Sequence, residues 1–194
     1  MKDSEIRLAR KNDIGLLPAI ERDADALFLG VLEQIGLTRD ALDHVCSEQV
    51  LEEACRAGRL WVAASSAGDP VGFAVAVELG GYTHLEQLAV HPSHARRGLG
   101  GALLEAVCAW ARAGHFPAVT LSTFRHIPWN GPFYEKRGFR ETAPAMLSDA
   151  HVGLVAAEAQ RGLRTDLRMI MSRRLGDAVQ RVSSTFNSDW SHFK

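Results

Sequence analysis

Six consecutive residues in the middle of the chain, Arg96-Arg97-Gly98-Leu99-Gly100-Gly101, have the types and spacing to hold a phosphate. They follow an apolar run, Leu85 to Val90, and open a segment with helical period. Glycine lacks Cβ, so a ligand can come close to the backbone. The first amides of a helix have no internal partner and lie at the positive end of its dipole. Arg96 and Arg97 add charge, and the whole reads as a pyrophosphate cradle. The same glycines would also allow tight strand–helix packing. The turn is not a P-loop, because no Gly-Lys-Ser/Thr ending follows. It is not a dinucleotide fingerprint either, since Gly-x-Gly-x-x-Gly would need glycine where Leu103 stands.

A second group of candidates lies just upstream, in Thr83-His84-Leu85-Glu86-Gln87-Leu88. Strand alternation puts His84, Glu86 and Leu88 on one face. An imidazole titrating near ~6.5 and a carboxylate would then share a surface where either could take up a proton. The bland alternative is a polar strand face turned to water. His91 and His94 flank the turn, but no further ligands stand at metal spacing, so no metal is expected.

The surrounding pattern supplies elements to position these residues. Ile6 and Leu8 suggest a short first strand. Asn12 and Asp13 can cap a helix with Ile14, Leu17 and Ile20 on one face, which Pro18 would kink. A second helix is expected from after Thr38 to near Gly58. Leu60–Ala64 and Val71–Leu79 form a hairpin around Ala67-Gly68-Asp69-Pro70. After Gly80-Gly81, a strand runs from His84 to Val90. A long helix with Leu99, Leu103, Ala106 and Trp110 on one face ends before Gly114. Then come a strand Ala118–Phe124, a short helix Pro132–Arg137, and a strand Phe139–Thr142. A helix from Ser148 to about Arg161 and a last strand Leu167–Arg173 complete the order. Such a succession gives a mixed sheet with helices on both faces. Residues 1–175 are read as one domain and 176–194 as a polar, mobile tail.

Composition sets the outer limits. The 194 residues carry 22 Lys+Arg and 23 Asp+Glu, with 46% hydrophobic residues. That balance excludes wholesale disorder and gives no general pull toward nucleic acid or an anionic membrane. No apolar run approaches the roughly 20 residues that span a bilayer. Cys46, Cys55 and Cys108 have no CxxC spacing and are read as reduced thiols of a cytoplasmic protein. The charge is uneven. Glu21 to Glu53 holds nine acidic residues and two arginines, whereas His91 to Arg137 holds six Lys/Arg and two Glu. One segment favours cationic partners and the other anionic ones, unless both are simply solvated faces.

The run from Leu88 to Leu104, Leu-Ala-Val-His-Pro-Ser-His-Ala-Arg-Arg-Gly-Leu-Gly-Gly-Ala-Leu-Leu, resembles motif A of the GNAT N-acetyltransferases. Tyr134-Glu-Lys-Arg-Gly-Phe139 resembles the family's motif B, and element order agrees over residues 4 to 173. The resemblance implies a single central sheet, mixed but mostly antiparallel, splayed in the middle and flanked by helices. It implies acetyl-CoA as donor, with pantetheine against the backbone of Leu88, Ala89 and Val90 and pyrophosphate on the amides of Arg96, Arg97, Gly98, Leu99, Gly100 and Gly101. The family's glycine pattern begins with Gln or Arg where this chain has Ala95, so one side-chain contact is lost. The family's asparagine stands seven residues before the tyrosine, which is Ile127 here. Asn130, four before, is carried over in its place.

Acetyl transfer to an amine needs a base, a donor for the developing negative oxygen, and a proton for the leaving thiolate. The resemblance places the phenol of Tyr134 near the sulfur as the acid. It puts His84 and Glu86 where arylalkylamine-type members carry two catalytic histidines. Glu86 is expected as base with His84 assisting, and an amide near Leu88 or Ala89 as oxyanion donor. Trp129 and Phe133 are candidates to line the acyl or acceptor pocket. The acidic N-terminal helices would cover the acceptor groove and attract a cationic amine. The expectation is an enzyme acetylating a small-molecule amine in a ternary complex. A protein or peptide N-terminus is the alternative acceptor, and a catalytically silent acyl-CoA-binding module the alternative class. Dimers are common in the family, so a homodimer is expected, with no nucleic-acid or membrane partner.

Overall fold

The computed structural model describes residues 4–39 and 45–176. Seven strands form one sheet in the order β1-β2-β3-β4-β5-β7-β6. They are β1 (Ser4–Leu8), β2 (Leu60–Ser65), β3 (Pro70–Leu79), β4 (Tyr82–Val90), β5 (Ala118–Phe124), β6 (Arg140–Glu141) and β7 (Arg168–Arg174). Every neighbouring pair is antiparallel except β4 and β5. The fold is the mixed, mostly antiparallel sheet flanked by helices that the sequence predicts.

Alternation of side chains gives the sheet two apolar faces. Trp61, Ala63, Ala74, Ala76, Leu85, Val119 and Leu121 pack on one, beneath α4 (Leu99–Ala113). That helix buries Leu99, Leu103, Leu104, Val107, Cys108 and Ala111, a wider stripe than a surface helix needs. Leu60, Val62, Phe73, Val75 and Ala89 face the other way, against α1 (Leu17–Asp25) and α3 (Glu48–Arg56). Farther along that second face lies α6 (Asp149–Gln160), over β5 and β7. There its His151 reaches Thr120 and its Glu158 reaches Ser122 and Arg168.

Several local expectations change. Pro18 does not kink a helix. Residues Lys11–Leu16 form a 3-10 segment, and Pro18 sits in the first turn of α1, where its missing N–H costs nothing. Asp13 accepts from the Arg10 amide (2.6 Å) and pairs with Arg7 (2.7 Å). The helix expected from Thr38 is shorter. Ala26–Gly30 is a 3-10 turn, α2 covers Leu32–Ile35, and α3 begins only after Ser47, whose hydroxyl accepts from the Val50 amide at 3.4 Å. Residues 40–44 of the expected span lie outside the described residues, as does the expected mobile tail beyond Gly176. The last short helix, α5, spans Gly131–Glu135.

Two irregularities open the sheet. β4 and β5 pair over just three positions, Thr83↔Val119, His84↔Thr120 and Leu85↔Leu121. Beyond them the strands part. At the same level the β3–β4 register jumps from Ala76↔Leu85 to Val75↔Gln87, leaving Glu86 as an extra, unpaired residue. The bulge reverses the alternation of everything after it. Leu85 faces α4 before it, whereas Leu88 and Val90 pack on that face after it. His84 and Leu88, predicted to share a face, are therefore on opposite ones.

Candidate active site

The parting of β4 from β5 forms a cleft of about 990 Å3. Its walls come from β4, β5, the N-terminus of α4, α5, the end of α1 and the residues around the end of α6. Backbone geometry explains what β4 offers to it. His91 donates to Val71 O (2.9 Å), so hydrogen-bonded pairing with β3 falls on His91, Ala89 and Gln87. The backbone groups of Leu88 and Val90 then turn away from β3 into the gap. Ala89 does not line the cleft, and its side chain is buried on the opposite face.

At one end of the cleft is the glycine turn. Gly98 has φ +84° and Arg96 φ +60°, so the chain coils tightly before α4 begins. Successive amides in such a coil converge on one concavity. The first helical bond runs from Ala102 N to Gly98 O (3.0 Å). Among the described residues, the amides of Arg96, Arg97, Gly98, Leu99, Gly100 and Gly101 donate to no protein acceptor. These six free donors stand at the positive end of a four-turn helix. The Arg96 side chain lines the cleft. That of Arg97 does not; it bonds back to Ser93 O (3.3 Å). Arg137 was not foreseen here. Its guanidinium stacks on Phe133 at 3.7 Å from the ring centroid and approaches Gly101.

In the middle of the cleft, Asn130 donates to Thr123 Oγ1 (2.9 Å), while its own carbonyl oxygen is buried without a partner. Reversing the amide would leave the NH2 unpaired instead, so one polar atom stays unsatisfied in either orientation. Such an atom in a cleft wall suits a ligand amide. Tyr134 is packed edge-on between Phe133 and Phe139, at 5.0 and 5.8 Å between centroids. Its hydroxyl bonds to no described residue and is not sealed off. Burial raises its pKa well above the ordinary phenol value, so the group is protonated at neutral pH.

At the other end, Glu86 projects from the bulge into the cleft, solvent-accessible yet sunk in a concavity. Loss of hydration raises its carboxyl pKa; Arg161 opposes the shift and Glu158 adds to it. Asp25, at the end of α1, lines the same end, and burial together with nearby Glu21 raises it to about 7. Glu21 is itself buried beneath, accepting from the Cys46 amide (3.0 Å) and from Gln87 Nε2. The Gln87 carbonyl in turn accepts from Leu88 N (2.8 Å). That amide is the gap-facing donor at the level of Glu86, and Gln87 covers it. Phe28 stands 5.7 Å from Phe124 and 6.0 Å from Trp129, an aromatic wall over this end.

His84 is not part of the cleft. It is 2% exposed, and its Nδ1 meets Thr120 Oγ1 at 2.9 Å. Thr120 also contacts His151 Nε2 (3.1 Å), whose Nδ1 meets Ser148 Oγ (2.7 Å). Burial, with His151 and Arg168 nearby, lowers His84 to about 4, so it is a neutral member of a buried polar chain. The bulge is the reason it faces α6 rather than the cleft.

A family model described as the acetyltransferase (GNAT) family matches residues 31–139. The chain belongs to this family. The solved structures with this fold include PaiA N-acetyltransferase from Thermoplasma acidophilum in complex with coenzyme A. Its TM-score is 0.67 at 15% identity, with 89% of this chain and 99% of that one covered. The ribosomal-protein-S18-alanine N-acetyltransferase from Escherichia coli has a TM-score of 0.61 at 19% identity, over 92% and 98% of the two chains. N-acetylglutamate synthase from Neisseria gonorrhoeae, complexed with coenzyme A and N-acetyl-glutamate, has a TM-score of 0.65 at 20% identity. That match covers 89% of this GNAT chain but 35% of the synthase. The family's chemistry is acetyl-CoA-dependent acetylation, and the cleft fits this cosubstrate. Six free amides can take the pyrophosphate, and the Leu88 carbonyl, the open edge of Val90 and Asn130 can take the pantetheine amides.

Proposed function

We propose that this acetyltransferase acts on the amine of a small molecule, by direct attack within a ternary complex. The observation that carries the reading is the bulge at Glu86, which sets one carboxylate in the same cleft as the Tyr134 phenol and the phosphate cradle. When bound, acetyl-CoA supplies an acetyl group activated as a thioester. Glu86 receives the proton of the attacking amine, and its raised pKa makes it a stronger base than an ordinary carboxylate. As the carbon–nitrogen bond forms and the carbon–sulfur bond breaks, Tyr134 gives its proton to the departing sulfur. Solvent then returns a proton to Tyr134 and removes one from Glu86. The Leu88 amide can stabilise the negative carbonyl oxygen once Gln87 turns aside. A small acceptor is favoured by the aromatic wall of Phe28, Phe124 and Trp129 between α1 and β5.

Thermal melting with acetyl-CoA, with NADH and ATP as controls, is the first test. A ligand at 100 times its dissociation constant adds ~2.7 kcal/mol of stability. A rise in Tm with acetyl-CoA alone is expected, followed by amine-dependent release of free thiol. Absence of both overturns the reading.

A further inference from the structure

The acceptor end is not simply acidic. Nine acidic residues lie between Glu21 and Glu53, and among those that the structure describes Asp25 is the one found in the cleft wall, alongside Glu86 from β4. Facing them are two arginines, Arg161 just past α6 and Arg168 at the start of β7. Their states differ. Arg168 is satisfied: it makes bonds of 2.8 and 3.1 Å to Glu158, another of 3.1 Å to Ser122, and lies over the Phe124 ring. Arg161 has no carboxylate within ion-pair distance and no side-chain hydrogen bond among the described residues. It borders the cleft with its guanidinium free. Its field reaches Glu86, so the two are neighbours without being paired.

A free guanidinium beside a cleft has one strong use, which is to take an anion through two parallel N–H donors. The cofactor's phosphates belong to the cradle at the opposite end. Along β4, Glu86 stands roughly 13 Å from Val90 at ~3.3 Å per strand residue, and the glycine turn lies beyond Val90. An anion at Arg161 would therefore be part of the acceptor. The remaining surface there is apolar, from Leu27, Phe28, Leu37, Phe124, Trp129 and Leu163.

We propose that Arg161 is the specificity residue for an acceptor that carries a carboxylate beside its amine and an apolar side chain, that is, a hydrophobic amino acid or a close analogue. The amine lies toward Glu86 and Asp25, the carboxylate on Arg161, and the side chain against Phe28 and Trp129. A peptide N-terminus has an amide where this acceptor has its carboxylate, and it leaves Arg161 unpaired. The inference rests on the acetyl-transfer reading and narrows it.

The test compares L-phenylalanine with phenethylamine, which lacks only the carboxylate, on wild type and on Arg161→Gln. Charge-assisted hydrogen bonds of the usual strength predict kcat/KM about 10- to 100-fold higher for phenylalanine on wild type. Arg161→Gln should bring the ratio to within about twofold, while Arg161→Lys keeps part of the preference and the KM for acetyl-CoA stays unchanged in both. Arg161 is exposed beyond a helix end, so the variants should keep the wild-type Tm. Equal or better use of phenethylamine by wild type overturns the proposal, as does a rise in the KM for acetyl-CoA on Arg161→Gln. So does failure of the coenzyme A-loaded protein to bind either amine. If acetyl-CoA itself does not shift Tm, the acetyl-transfer reading has failed, which is a separate result.

Discussion

The two ends of the cleft are built in opposite ways. The cofactor end is made of backbone from one contiguous stretch, Leu88 to Gly101, and its donors are amides that every residue possesses. The acceptor end is made of side chains from separate elements: Asp25 from α1, Glu86 from β4, Arg161 after α6 and Arg168 from β7. A backbone site tolerates side-chain change, as Ala95 shows by standing where the family has Gln or Arg without removing a single amide donor. A side-chain site changes its chemistry with each substitution. One fold can thus keep a fixed donor and vary its acceptor.

The largest effect expected from this division is at Glu86. Glu86→Gln keeps size and hydrogen bonding but removes the base. Loss of a positioned proton acceptor typically costs 10²–10⁴ in rate. We expect kcat to fall by about that much while the KM for acetyl-CoA stays within about twofold, read by thiol release at saturating donor. A retained kcat would move the base elsewhere, with Asp25 next in line.

The same division decides what could be read from sequence. The cradle was legible because its cause is local: glycines with special φ, followed by a helix start. Tyr134 and Asn130 came from the resemblance to the family's second motif, and Phe133 from its aromatic type, rather than from any local physical cause. The sheet was legible from period-two runs, and β5 runs over the predicted residues, Ala118–Phe124. The bulge at Glu86 was not. A one-residue insertion leaves no mark in an apolar pattern, yet it transfers His84 to the far face and explains why its imidazole packs against Thr120 instead of meeting an amine. Asp25 looked no different from the other eight acidic residues around it. In the sequence Arg161 stands at the end of an expected helix and Arg168 within the last expected strand, with nothing to mark either. Their positions depend on α1 and α6 closing over the same sheet face from either side of the splay, which is tertiary information.

Gly98→Val should touch the cofactor end alone. A β-branched residue at φ +84° is strained by ~1–2 kcal/mol. The cradle would relax away from its geometry, and the KM for acetyl-CoA should rise about tenfold. At saturating acetyl-CoA, kcat and the acceptor KM should match wild type. Gly98→Asn, which tolerates left-handed backbone better, should lie between the two. A shift in acceptor KM as large as that in donor KM would show that the two ends are mechanically coupled.

The smallest effect is the most specific to the acceptor end. Asp25 titrates at about 7 because burial and Glu21 disfavour its charge. It is neutral below that pH and anionic above it, so its attraction for a cationic amine switches on as pH rises through 7. Charge pairs at partly exposed sites are worth ~0.5–1 kcal/mol, a two- to fivefold factor. The ratio of kcat/KM between wild type and Asp25→Asn cancels the amine's own titration. It should climb from about one at pH 5.5 to about threefold at pH 8.5, with its midpoint near 7. Stability must move the other way. Between the unfolded carboxylate pKa of ~3.9 and about 7, the folded state holds a proton that the unfolded state has lost, so folding weakens as pH rises across that interval. Asp25→Asn escapes this cost, and its Tm should pull ahead of wild type from pH 4 to pH 7 and then stay level. An acceptor limb without the Tm limb would mean that a different group titrates there. The two together would show that a carboxylate is held against its own hydration for the sake of the amine.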